Sequence, residues 1–255
     1  MKILTLNLHC YAEEDVLKKQ QIIAQTIIEH QIDVILLQEV AQTEQKQILF
    51  DEIKEDNYGY LLQQMLLSKG YQYDYYYQTG NRSFGIYDEG LAILSKHKLL
   101  DKRKFYVSKK INYDDWSTRL IVGAQINLED ITVSFTSAHL GWSDGQEVFE
   151  DQVDKLFSNL KKNEIHILGG DFNVPAGSKE HQYLMSKGYQ DIFYNEEKDY
   201  FNTPTHKDNI DEKKGSSRID YLFTNHPYIL KSREILFQKF PVSDHYGVLV
   251  EIVFI

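Results

Sequence analysis

Short unbroken apolar runs alternate along this chain with longer stretches in which apolar residues recur every three or four positions. Lys2 to Leu8 reads as a first strand. Val16, Ile23, Ala24, Ile27 and Ile28 fall at helical spacing, with Glu13, Glu14 and Asp15 at the opening turn, where acids suit the helix dipole. Asp33-Val34-Ile35-Leu36-Leu37 is a continuous run that predicts a buried strand. A helix follows over Tyr58 to Ser68, ending before Gly70. Strands dominate from Leu91 to Leu140, including Leu120–Val122 and Ile131–Phe135. Phe149, Val153, Leu156 and Leu160 mark another amphipathic helix. Ile165–Leu168, Tyr221–Phe223 and Val248–Phe254 complete the strands.

Strands outnumber helices, and the helices separate strand pairs rather than following every strand. This pattern predicts an α/β protein of two packed, largely antiparallel sheets flanked by helices. A βα barrel needs eight regular alternations, which this chain does not supply. No Pro/Gly/Ser-rich linker, low-complexity segment or solenoid-period repeat interrupts the 255 residues, so one domain spanning 1–255 is expected.

The formal charge of −10 argues against long polyanions, which call for a Lys or Arg at each phosphate contact. Basic clusters such as Lys102-Arg103-Lys104 and Lys213-Lys214 are short and mixed with acids. No stretch has the apolar length of a membrane helix, and the first residues are too short and too soon polar for a signal peptide. The single cysteine, Cys10, rules out an internal disulfide and reads as an apolar filler. A cytoplasmic protein with a small anionic substrate and a metal is the expectation.

The chemistry gathers at strand ends. Asn7, Glu39 and Asp171 close three apolar runs, and Gly169-Gly170 lets the chain bend to leave Asp171 and Asn173 two residues apart. Singly, each is an ordinary turn former or a solvated acid. Together they are the hard oxygen donors that Mg²⁺ or Mn²⁺ takes, whereas one Cys and no close histidine pair speak against zinc. His139 ends another strand, and Asp244-His245 sits before the last one. Polar groups left unpaired there cost several kcal/mol, roughly 2–7. Asp220 either forms a buried ion pair with Arg218 or orients a histidine, and Glu89 is placed to do the same for His139.

These residues carry a family resemblance. Leu6-Asn7, Leu37-Gln38-Glu39, Asp88 through Ser95, Ser137-Ala138-His139-Leu140, Gly170-Asp171-Phe172-Asn173, Arg218-Ile219-Asp220-Tyr221 and Ser243-Asp244-His245 resemble, in order, the motifs of the endonuclease/exonuclease/phosphatase superfamily. The resemblance implies a four-layer α-β-β-α sandwich with a metal-dependent phosphohydrolase site at one edge of its sheets. It implies Glu39 as the principal Mg²⁺ ligand, with Asn7 and Asp244 nearby. Asp171 and Asn173 would hold the attacking water and phosphoryl oxygens, Asp220 would pair with His245, and Glu89 with His139. His245 would take a proton from water or stabilise developing charge, and His139 would support the phosphate or leaving group. Arg119 matches a position of phosphate contact.

Longer stretches, Asp88–Ser95, Ser137–Ser143 and Asn225–Gly247, resemble the bacterial maltose 6′-phosphate phosphatases, which implies a phosphorylated sugar as substrate; residues 9–14 and 195–215 depart from that pattern. The tyrosines of Tyr71–Tyr77, with Tyr87, Trp116 and Trp142, offer apolar faces suited to sugar rings, although alternating tyrosines also describe a half-buried strand. A nuclease, a sphingomyelinase-like phosphodiesterase and a catalytically dead binding module are the rival readings. The first lacks a basic groove, the second a membrane-docking loop, and the third is at odds with an intact set of acids, amides and histidines.

Overall fold

The computed structural model describes residues 1–129, 131–143, 145, 147–194, 203–206 and 218–255. In chain order the elements are β1 (Lys2–Asn7), α1 (Val16–His30), β2 (Val34–Thr43), β3 (Ile48–Phe50), β4 (Ile53–Lys54), α2 (Tyr58–Ser68), β5 (Asp74–Ser83) and β6 (Tyr87–Ser95). Then come β7 (Leu100–Tyr106), β8 (Leu120–Leu128), β9 (Ile131–His139), α3 (Phe149–Asn159), β10 (Ile165–Asp171), α4 (Lys179–Met185), β11 (Gln190–Asp191), β12 (Asp220–Thr224), β13 (Tyr228–Leu236) and β14 (Gly247–Phe254).

Two six-stranded sheets result, ordered β13-β14-β1-β2-β6-β5 and β11-β12-β10-β9-β8-β7. Pairing is antiparallel except between β1 and β2 and between β9 and β10. Continuous apolar runs follow from burial on both faces. Along β1 and β2, Leu4, Leu6, Ile35 and Leu37 meet Ile23, Ile27, Leu62 and Leu66 of α1 and α2. Ile3, Val34 and Leu36 face the other way, against Val122, Phe135 and Ile167 of the second sheet. That sheet's outer face, with Ile121, Leu168 and Phe223, is covered by Phe149, Val153 and Leu156 of α3 and Leu184 of α4. Helix, sheet, sheet, helix is the layer order expected.

Three differences from the sequence reading have physical causes. The run ending at Leu37 continues to Thr43, because a register shift between Leu37 and Val40 lets β2 pass Glu39 without breaking its pairing with β6. β13 was not expected, since it lies at a sheet edge and its exposed positions include Lys231, Ser232 and Glu234. Tyr73, Tyr75 and Tyr77 belong to the core beneath α2 rather than to a binding surface.

Buried hydrogen bonds join the two sheets at one edge. Ser137 Oγ donates to the Leu37 carbonyl at 3.0 Å and accepts from Gln38 Nε2 at 2.9 Å. Asn7 Nδ2 donates to Asp171 Oδ2 at 3.1 Å.

Candidate active site

That edge opens into a cleft of about 450 Å³. Glu39 and Glu89 reach it from the first sheet, His139 and Asp171 from the second, and Arg119, Asn173, Asp244 and His245 from connections beside them. Trp116 and Trp142 also line it. Asn7 and Asp220 lie beneath, buried and bonded to lining residues. Of the predicted residues only Tyr87 stands apart: its ring stacks on Tyr11 at 5.5 Å instead of facing the cleft.

Local backbone explains the convergence. Glu39 holds a left-handed φ of 50° in the β2 bulge and Asn173 one of 54° beyond β10, conformations that cost energy and concentrate at functional sites. Gly170 is required because a Cβ there would fall 1.8 Å from the Ala138 carbonyl oxygen, and the close approach sets Asp171 beside His139. Asn7 then ties the acids together, its Nδ2 donating to Glu39 Oε1 at 2.9 Å as well as to Asp171. Its Oδ1 accepts from the His9 backbone N–H at 3.1 Å.

Asp220 resolves in favour of the histidine. Its carboxylate lies 3.0 Å from His245 Nδ1, while Arg218 pairs with Asp191 at 2.5 Å. Burial works against charge on His245, but Asp220 and Asp171 outweigh it and carry the imidazole up to about 10. Burial is the main cause that raises Asp171 to about 7, with Asp220 adding and His245 opposing. Glu89 is raised to about 7 by burial and then by Glu39. His139 is pushed well below its ordinary value by burial, then by Arg119. Glu89 and His139 form no hydrogen bond or ion pair with each other; the charges that favour ionised Glu89 are those of Arg119 and then His9. His139 Nε2 instead lies 3.7 Å from Asp171 Oδ2.

Arg119 is only 7% exposed, and its Nε meets no hydrogen-bond partner among the described residues. An unsatisfied guanidinium nitrogen beside a cleft is costly unless an oxyanion satisfies it. Three carboxylates in one cleft, Glu39, Glu89 and Asp171, also fit a divalent cation, which favours the charged forms that burial opposes in Glu89 and Asp171.

Five lining residues escaped the sequence reading: His9, Asn81, Ser83, Phe84 and His206. His9, two residues past Asn7, carried a position signal; Phe84, at an exposed turn between β5 and β6, carried none. His206 lies edge-on to His245 at 4.6 Å, so the absence of a close histidine pair along the chain does not hold in the folded protein. Both His9 and His206 come from segments that depart from the sugar phosphatase pattern.

The sequence profile of the Endonuclease/Exonuclease/phosphatase family matches residues 4–245. An endonuclease/exonuclease/phosphatase family protein from Leptotrichia buccalis C-1013-b shares 32% identity and a TM-score of 0.91, over 100% of both chains. The mannosyl-6-phosphatase Bt3783 of Bacteroides thetaiotaomicron VPI-5482 is similar over 100% of both chains, at 21% identity and a TM-score of 0.67. TDP2 of D. rerio, complexed with single strand DNA product, matches at 14% identity and a TM-score of 0.71, over 99% of this chain and 98% of its own. These last two likenesses concern the fold. No curated protein sequence matches significantly.

Proposed function

The chain belongs to the endonuclease/exonuclease/phosphatase family, and from that membership we propose that it is a divalent-metal-dependent phosphomonoesterase acting on a phosphorylated sugar such as maltose 6′-phosphate. The family's members are metal-dependent hydrolases of phosphoric esters. The observation that carries the narrower reading is the cleft wall: Arg119 is the one Lys or Arg among its described lining residues, placed to take a single phosphate. A nucleic-acid strand calls for several such cations. Phe84 and Trp116, both exposed at the rim, offer flat apolar faces to a sugar ring.

In this reading Glu39 holds Mg²⁺ or Mn²⁺, oriented by Asn7. A bound divalent ion supplies electrophilic pull on the phosphate oxygens. Arg119 Nε takes a phosphoryl oxygen, and Asn173 keeps the phosphate in line with the attacking water. Asp171, poised near neutrality, accepts the water's proton. His245, held charged by Asp220, stabilises the negative charge on the phosphoryl group; an imidazole raised this far is a poor base at neutral pH. His139, kept neutral, steadies the leaving oxygen.

The second reading is a nuclease or other phosphodiesterase, favoured by the same aromatic rim, on which bases could stack. The test is turnover of maltose 6-phosphate, mannose 6-phosphate, plasmid DNA and choline phospholipid, with Mg²⁺ and with EDTA. Sugar-phosphate hydrolysis abolished by EDTA is expected. Efficient nicking of DNA without sugar-phosphate turnover would replace this reading by the second.

A further inference from the structure

Asp244 lines the cleft, and its carboxylate is turned to histidines. Its Oδ2 lies 3.5 Å from His9 Nδ1, and the same ring nitrogen lies 2.8 Å from Glu13 Oε1. One imidazole nitrogen and two carboxylate oxygens therefore converge, all within 4.8 Å of one another. At metal–ligand lengths of about 2.0–2.2 Å, neighbouring ligands around one ion stand about 3.0–3.5 Å apart. The trio is held from outside itself. His9 has a left-handed φ of 45° and donates its backbone N–H to Asn7, while Lys19 Nζ pairs with Oε2 of Glu13, the oxygen other than the one facing His9. A second imidazole, His206, brings Nε2 to 3.6 Å from the same Asp244 oxygen.

We propose that His9, Glu13 and Asp244 form a second cation site, separate from Glu39, for a first-row transition ion such as Mn²⁺, Co²⁺ or Zn²⁺. Mg²⁺ favours oxygen donors throughout and keeps its waters, whereas an imidazole nitrogen suits the transition metals. Since His9 and Asp244 are part of the cleft wall, an ion held there would stand beside the substrate and would supply a binding position for a hydroxyl or phosphate oxygen. This role rests on the cleft being the substrate site, as proposed above; the site itself does not.

The experiment titrates the metal-free full-length enzyme with Co²⁺, counting bound ions by equilibrium dialysis and following the visible d–d absorption. Wild type is expected to bind two Co²⁺ per chain. Glu39→Gln should retain the ion at the nitrogen-containing site with its absorption band. His9→Gln should keep the other ion and bind this one about a hundredfold more weakly or worse. Glu13→Gln should behave likewise, and serves in place of His9→Gln should thermal melting show that variant unfolded. One Co²⁺ per wild-type chain, lost in Glu39→Gln, would overturn the proposal. So would a stoichiometry and spectrum unchanged in folded His9→Gln and Glu13→Gln. Failure of the sugar-phosphate assays would leave the titration unaffected, and the converse holds.

Discussion

At the scale of single residues, the two readings of Asp220 make opposite predictions. Its carboxylate sits on His245 rather than on Arg218, so Asp220 and His245 should act as one device whose losses do not add. His245→Ala is expected to be nearly inactive, Asp220→Asn clearly impaired, and the double variant little slower than His245→Ala. Additive losses in kcat/KM would separate the two residues. Replacing Arg218 by Met should mainly lower the melting temperature, since its guanidinium serves the fully buried Asp191. Motif residues such as Asp171 and His245 were legible in the sequence because charge beside apolar runs is costly. His206 was not, because it gains meaning only from Asp244 and His245, which lie far away along the chain.

At the scale of elements, Glu164 binds three strands of the second sheet. Just before β10, it accepts from Ser134 of β9 at 2.6 Å and Gln125 of β8 at 2.7 Å, and pairs with Arg103 of β7 at 3.2 Å. Burial disfavours its charge, but Ser134, Lys161 and Arg103 outweigh it and hold the carboxyl at about 2, below the usual 4.5. The lowered value means that the stabilisation is complete above about pH 4.5 and is lost as pH falls through about 2. Glu164→Gln should cost about 1–2 kcal/mol at pH 7. Urea melts from pH 7 to 2 should show the gap to wild type closing below pH 4.5; a gap independent of pH would assign the cost to packing. The helices α1, α2 and α3 were legible from three- and four-residue spacing. The second half of β2 was not, because the Glu39 bulge breaks the apolar run while the pairing continues.

At the scale of the molecule, a single Lys or Arg among the described residues of the cleft wall and a formal charge of −10 predict a weak response to salt. Turnover of a sugar phosphate should change less than about threefold between 50 and 200 mM salt, whereas a protein with many phosphate contacts loses about a thousandfold in affinity. Steady-state kinetics across that range decides the matter. The four-layer architecture was legible because runs buried on both faces differ from runs at helical spacing. The cleft's rim was not, since turns such as that bearing Phe84 have no periodicity to read. The bonds of Asn7, Gln38 and Ser137 across the sheets have a consequence of another kind. They root the reactive centre in the barely deformable interior, while Phe84, Trp116 and Trp142 hang on connections outside it. Selectivity can thus drift among descendants of this fold by exchange of connections, each a local and inexpensive change, while the hydrolytic apparatus is inherited intact.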